Sequence, residues 1–419
     1  MLAWTVQWSV VSRTVAFLFL LTGLAQAADD AALRAMLDEH RWFDLRDAVV
    51  GGRASTFYPF WVAVVFNDLP GAERGLKAAM RSRLATEQLA DLHNALGRAY
   101  FRVGRYRDGV REERLSWTLA PDKAPADPAA KADLEARGRL PDQEVITRRS
   151  ATLTYTDWMD SPRISCPITI NGQTAQYVLD TDAGMSGTTE AEAKRLGLRI
   201  IAGPASYDGF TGAVSSSGHY AVADRLRIGT NELRNVAFLV YPDGLDVFEK
   251  VPSEQRGAIG LPVLIALQTL AWNRNHELKI GFPPGRADLR KANLSYEELD
   301  PLVAVQIDGR RATVDLDTGS TFTQMWPAFA QRFPDEVQKG RKSTASLHGA
   351  TGSGDVESVI VPELQMTVAG FPIALRDLHV LLKQTIGASH WHDGMLGFDE
   401  LAKASQVRID FKAMRLDVK

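Results

Sequence analysis

Two aspartates set the chemical question. Asp180 lies in "YVLDTDAGMSG" (residues 177–187) and Asp317 in "VDLDTGSTFT" (314–323), each ending an apolar run and each followed by threonine. Peptide hydrolysis joins a poor nucleophile, water, to a poor electrophile, an amide carbonyl, so it wants a base and an acid around one water. Two carboxyl groups ~3 Å apart cannot both ionise; they share one proton and can supply both roles. An isolated Asp-Thr-Gly is also an ordinary turn, and the first copy departs from it by carrying Asp182 where the second has Gly319. The surrounding elements must therefore carry the argument.

Those elements are duplicated. "ITINGQTAQYVLDTDAG" at 168–184 lies over "VQIDGRRATVDLDTGST" at 305–321 at a constant offset of 137, matching Ile170 with Ile307, Gly172 with Gly309, Leu179 with Leu316 and Asp180 with Asp317. In each copy an Asn-Gly or Asp-Gly hairpin turn leads into a strand that ends in Asp-Thr. "GAIGLPVL" echoes "GMLGFDEL", so that Gly260 and Gly397 each fall 80 residues after their aspartate. "LAWNRNHELKIG" and "VRIDFKAMRLDV" close the two copies. Four blocks in one register establish an internal repeat.

Two β lobes, each with an Asp-Thr-Gly-like loop and a later apolar-apolar-Gly, resemble the bilobal pepsin-type aspartic proteases. "TTEAEAKRLGL" and "DGMLGFDEL" are closer in wording to the retropepsin-like bacterial aspartyl proteases. The resemblance covers roughly residues 146–419 and implies an all-β acid-protease fold, with Asp180 and Asp317 brought together about a pseudo-twofold axis. It implies that Thr181 and Thr318 brace the two loops, that Gly319 and Ser320 support the active site within the second loop, and that Gly260 and Gly397 pack beneath the loops. It also implies a flap from "YDGFTGAVSSSG", with Phe210, Thr211 and Gly212 at its tip and Tyr207 as a partner for the catalytic water. Asp182 keeps the backbone amide that glycine would offer, but adds a charge that would raise the dyad's pKa. Asp182-Ala183-Gly184 as an alternative frame loses the threonine and the equal spacing, so Asp180 is the expected catalytic member.

The rest of the chain bounds the setting. The 419 residues suffice for several cores, and a net charge of −3 without a dense Lys/Arg tract argues against a nucleic-acid partner. "RTVAFLFLLTGLAQA" reads as a secretory signal over residues 1–27, cut after Ala27, which points to export to the periplasm without stable membrane insertion. Cys166 is the only cysteine, so no intramolecular disulfide forms, and its strand-like setting marks a structural thiol. Residues 28–120 carry helical periodicity. "HNALGRAYFRVGRYRDGVREERLSWTLAPD" resembles a tetratricopeptide (TPR) unit, with Gly97 allowing close helix packing, Tyr100 in the groove and Pro121 as the stop. Residues 121–145, rich in Ala, Pro and charge, read as a linker with room for one short helix.

The expected architecture is thus multidomain. An N-terminal all-α TPR-like helical domain precedes an all-β bilobal region, with lobe 1 over 146–290 and lobe 2 over 291–419. The expected activity is aspartic endopeptidase, with a protein partner for the helices and no metal or organic cofactor; the alternative is an inactive peptide-binding scaffold silenced by Asp182. His390, His392 and Asp393 in "SHWHD" lack a further ligand nearby and are expected to form a loop beside the cleft rather than a metal site.

Overall fold

A computed structural model of the chain describes residues 30–52, 57–82, 84–159, 161–207, 215–349, 352–383 and 391–419. The signal segment, the flap candidates Phe210, Thr211 and Gly212, and His390 lie outside the described residues.

Helices come first: α1 (30–38), α2 (Trp42–Gly51), α3 (Phe57–Val65), α4 (Leu69–Ala79), α5 (Thr86–Arg102), α6 (Tyr106–Leu119) and α7 (Pro128–Arg137). Local chemistry sets their starts. Asp68 caps α4 by accepting from the Gly71 amide at 3.1 Å, and Asp127 caps α7 ahead of Pro128, accepting from Ala129 at 2.8 Å. The chain reverses between α5 and α6 at Gly104, whose φ of +77° suits glycine. The two helices then pack so closely that a Cβ on Gly97 would lie 3.1 Å from the Gly109 carbonyl oxygen. Tyr100 is buried, and its hydroxyl donates to Glu73 at 2.8 Å. Among the described residues no helix is long and apolar enough to cross a membrane.

The α7 helix falls within the stretch whose composition reads as a linker, and it is docked. Leu134 and Ala136 are buried in one cluster with Ile201 and Tyr220 of the first lobe. Asp133 accepts from the Tyr220 hydroxyl at 2.8 Å and from the Ser206 amide at 2.9 Å.

From residue 144 onward strands dominate. The described strands form a nine-stranded sheet in the first lobe, an eight-stranded sheet in the second, and a five-stranded sheet that joins them. The repeat is visible in the backbone. Asn171-Gly172 and Asp308-Gly309 both have positive φ, as a type I′ hairpin requires. Strand Gln173–Leu179 pairs in parallel with Gly257–Ile259, and Arg310–Asp317 with Gly394–Gly397. The partners Leu179↔Ile259 and Leu316↔Leu396 are the 80-residue spacing of the sequence, made into ladders. In the joining sheet Thr269–Asn273 runs antiparallel to Gln406–Asp410, with Ala271 opposite Arg408, its own equivalent at the offset of 137. The pseudo-twofold axis passes between these two residues.

Candidate active site

Each acidic loop begins where an apolar strand leaves its sheet. Leu179 and Leu316 are buried, so the strands are anchored up to the residue before the aspartate. The first loop stays tied to its lobe by the Asp180 amide donating to Ile259 O at 3.0 Å and the Leu261 amide to Ala183 O at 2.8 Å; the second repeats the latter contact with Phe398 N and Ser320 O at 3.0 Å. Beneath the loops, the Gly260 amide donates to Ser186 Oγ and the Gly397 amide to Thr323 Oγ1, at 3.1 and 3.0 Å. Ser186 and Thr323 are equivalents at the offset of 137, a pair that the motif reading missed. Gly260 and Gly397 admit no side chain: a Cβ would lie 2.5 Å from the Met185 backbone and from Phe322 O, respectively.

The loops hold each other through their threonines. Thr181 Oγ1 donates to Leu316 O at 2.5 Å and accepts from the Thr318 amide at 3.0 Å. Thr318 Oγ1 donates to Leu179 O at 2.7 Å and accepts from the Thr181 amide at 3.1 Å. Both side chains are buried, and their exchange engages four backbone groups at the lobe junction.

The carboxylates are held alike. Asp180 Oδ1 accepts from the amides of Asp182 and Ala183 at 3.0 and 3.1 Å; Asp317 Oδ1 accepts from Gly319 and Ser320 at 2.8 and 2.9 Å. The two groups are neighbours, because a Cβ on Gly319 would fall 2.5 Å from Asp180 Cγ. Asp317 is 7% exposed; burial, with the Asp180 charge adding to it, pushes its pKa up to about 8. Burial also raises Asp180, against the pull of its two amides and of Arg163. A pair of this kind keeps a proton where isolated carboxyls would lose both.

Arg163, which belongs to no motif, also reaches the dyad. The ladder Ser165↔Val178, continued two residues, sets Arg163 across from Asp180. Its guanidinium stacks on Trp158, 4.7 Å from the ring centroid, and its charge lowers both aspartates. The ladder Leu302↔Asp315, continued likewise, sets Asp300 across from Asp317. Arg163 and Asp300 are equivalents at the offset of 137, so a basic side chain on one side of the dyad answers a carboxyl on the other.

Asp182 joins the acidic side. It is half-buried with Oδ1 unpartnered among the described residues. Burial, then the charges of Asp300, Asp317, Asp315 and Asp180, hold its pKa well above the carboxylate range. Asp300 is raised likewise by burial and then by Asp315. The backbone amide of Asp182 still serves Asp180.

His392 lies in the bend that leads into the strand Gly394–Gly397, with its side chain turned into the protein. It is 1% exposed, with Nδ1 2.9 Å from Asp315 Oδ1 and Nε2 3.7 Å from Glu297 Oε2. Burial opposes its charge, but the two acids outweigh burial and push it up to about 10; Glu297 is held down at about 2 despite its burial by His392 and His40. Glu297 Oε2 also accepts from Trp42 Nε1 at 2.7 Å, so the helices touch the acidic network directly. Asp393 accepts from the Thr313 amide at 2.8 Å and pairs with Arg332. Among the described residues no three or more His, Cys, Asp or Glu side chains form a metal-holding group. Tyr207 is buried, its hydroxyl shared with Ser217 Oγ at 3.1 Å and its ring edge-on to Tyr241. Cys166 is buried, which pushes its thiol up to about 12 and leaves it unreactive.

With this geometry in place, comparison with known families is informative: residues 166–263, the core of the first lobe, match the aspartyl protease family. The resemblance to aspartyl proteases is thereby shown. The aspartyl-protease match contains Asp180, Thr181 and Gly260 and ends in the helix after Gly260. Among solved structures, a retropepsin-like aspartic protease from Rickettsia conorii is 16% identical, with 34% of this chain and 94% of that chain covered at a TM-score of 0.24. Basic 7S globulin from soybean is 12% identical, covering 65% and 95% at a TM-score of 0.39. An aspartic proteinase from Irpex lacteus is 12% identical, covering 64% and 97% at 0.37. Comparison with curated proteins finds no match.

Proposed function

We propose that the protein is an aspartic endopeptidase in which Asp180 and Asp317 share a proton around one water. The observation that carries this is the pair of carboxylates, each held by two amides on loops exchanged through Thr181 and Thr318. Burial raises both carboxyls and Arg163 lowers both, so the pair is read as sharing one proton, with Asp180 written as the base and Asp317 as the acid. Asp180 takes a proton from water as the oxygen attacks the peptide carbon, and Asp317 protonates the carbonyl oxygen. Collapse of the tetrahedral species breaks the C–N bond, the amine leaving with the proton from Asp180 while Asp317 regains its own. Substrate would enter extended and add a strand to the cleft edges, which favours unfolded segments.

The amides retained at Asp182 and Ala183 speak against the inactive-scaffold alternative. The signal-like segment supports export to the periplasm, and the α5–α6 hairpin supports a protein partner for the helices. The test is cleavage of an unstructured polypeptide from acidic to neutral pH. Asp317→Asn and Asp180→Asn should both lose it while keeping the wild-type circular dichroism; cleavage retained by either variant would refute the reading.

A further inference from the structure

Helices α6 and α7, with the turn that follows α7, line a groove of about 430 Å³. Arg107, Arg111, Arg114 and Thr118 recur on α6 at three- and four-residue spacings, so they share one face of the helix, and all four are exposed. Glu135 and Arg139, also exposed, stand on the other wall. The floor is apolar. Val110 is buried, and a Cβ on Gly138 would lie 3.3 Å from Val110 Cγ1, so the two helices meet there. Leu115, 40% exposed, also lines the groove.

Four arginines thus face one carboxylate, in a chain whose net charge is −3. Glu135 pairs with Arg114 at 2.6 Å. Arg111 pairs with Asp108 and Glu112, but neither acid lines the groove and each is shared, Asp108 with Arg105 and Glu112 with His93. Arg107 has no carboxylate partner among the described residues, and Arg139 donates to a neutral group, Ala202 O, at 2.7 Å. The excess of positive charge therefore lies at the surface, where a partner can reach it.

We propose that this groove docks an acidic segment of a partner polypeptide, with its carboxylates on the arginines and an apolar side chain against Val110 and Leu115. The inference names the chemistry of the helix partner proposed above and rests on that reading, not on the cleavage reaction. The spacing suits an extended chain: Arg107 and Arg111 are ~6 Å apart along the helix axis, close to the ~7 Å between same-face residues of a strand. A bilayer fits less well, because it takes apolar side chains that protrude, and Val110 is recessed below the arginines.

The full chain carrying Asp317→Asn is used, so that turnover cannot consume the probe and a failure of the cleavage reading leaves this test intact. It is titrated by fluorescence anisotropy with fluorescein-labelled Ser-Glu-Glu-Leu-Glu-Glu-Ser and with the same peptide bearing Gln for Glu. The acidic peptide should bind saturably and at least ~10-fold tighter than the Gln peptide, and its affinity should fall as sodium chloride rises from ~50 to ~300 mM. Arg107→Glu/Arg139→Glu should lose at least ~10-fold while keeping the parent circular dichroism. Arg225→Glu/Arg376→Glu, an equal change of net charge on exposed residues of the two lobes, should bind as before. Glu135→Gln, which removes the one carboxylate of the groove, should tighten binding, and Ser for Leu in the peptide should weaken it ~3-fold or more. Equal binding of the acidic and Gln peptides, no saturable binding of the acidic one, no effect of the Leu replacement, or equal loss in the two arginine pairs would overturn the proposal. Displacement of the acidic peptide by phosphatidylglycerol vesicles would overturn it too, by assigning the arginines to a lipid surface.

Discussion

Thr181→Val and Thr318→Val should each destabilise the protein heavily and nearly equally. Valine keeps the shape of threonine but removes the hydroxyl. In Thr181→Val the Leu316 carbonyl loses its donor and the Thr318 amide its acceptor; in Thr318→Val the Leu179 carbonyl and the Thr181 amide are orphaned. A buried backbone group left unsatisfied costs ~1–3 kcal/mol, so each substitution should cost ~2–6 kcal/mol, a large share of the ~5–15 kcal/mol that stabilises a typical domain. The four groups are distinct, yet they hold one junction. Once either threonine is lost the loops can part, and the double variant should cost less than the sum of the singles. The assay is urea unfolding followed by tryptophan fluorescence at fixed pH, with Thr→Ser at both positions as controls that keep the hydroxyl. A cost below ~1 kcal/mol in either single variant would refute the reasoning. So would a large cost in one and none in the other, since both hydroxyls make the same two bonds.

Three further outcomes follow from the charges. Arg163→Met should move the acidic limb of the cleavage profile to higher pH, because Arg163 lowers both dyad carboxyls, and Arg163→Lys should restore part of the shift; an unmoved limb means the guanidinium does not act on the dyad. The His392–Glu297 pair should stabilise most between pH ~4.5 and ~6.5: Glu297, held at about 2, loses its contribution as pH falls from its unfolded value toward that figure, and His392, raised to about 10, loses its contribution as pH rises from its unfolded value toward that one. His392→Asn should flatten the alkaline fall in melting temperature, and an unchanged slope would contradict the assignment. Asp182 has a raised pKa, so the stability tied to its proton is present below pH ~4 and lost as pH rises; Asp182→Gly should therefore gain on wild type in melting temperature from acidic to neutral pH, and a constant difference would place its carboxyl in free solvent.

Much of the site was legible because duplication writes the same instruction twice. The offset of 137 and the spacing of 80 named both aspartates, both threonines and both supporting glycines, and these spacings became ladders of the sheets. Arg163 and Asp300 share the same offset but belong to no motif, and only the strand register brings them opposite the dyad. His392 was read from its own neighbours, whereas its partners Asp315 and Glu297 are distant in sequence. The docking of the helices left little signal because much of it is made by arginines to backbone carbonyls, Arg46 to Ala292 and Arg102 to Glu298. In α7 the signals were present in Asp127-Pro128 and the apolar pair Leu134 and Ala136, but the Ala, Pro and charged composition around them masked a packed helix.

The replacement of glycine by Asp182 has a steric explanation that the motif conceals. Neither Asp182 nor Gly319 has positive φ, so the turn itself does not require glycine at either place. The requirement at Gly319 is one of space, because a Cβ there would overlap the Asp180 carboxylate. In a strictly symmetric pair of loops both positions would have to be bare. Here the acidic side of the dyad differs from the basic side, with Asp300 in the place that Arg163 occupies across the axis, and Asp182 lies toward Asp300 and Asp317. Burial and the neighbouring carboxyls raise its pKa, and its amide continues to serve Asp180. One glycine suffices to bring the loops together. The other position is then free to carry a side chain, and Asp182 does so without giving up the amide that holds Asp180.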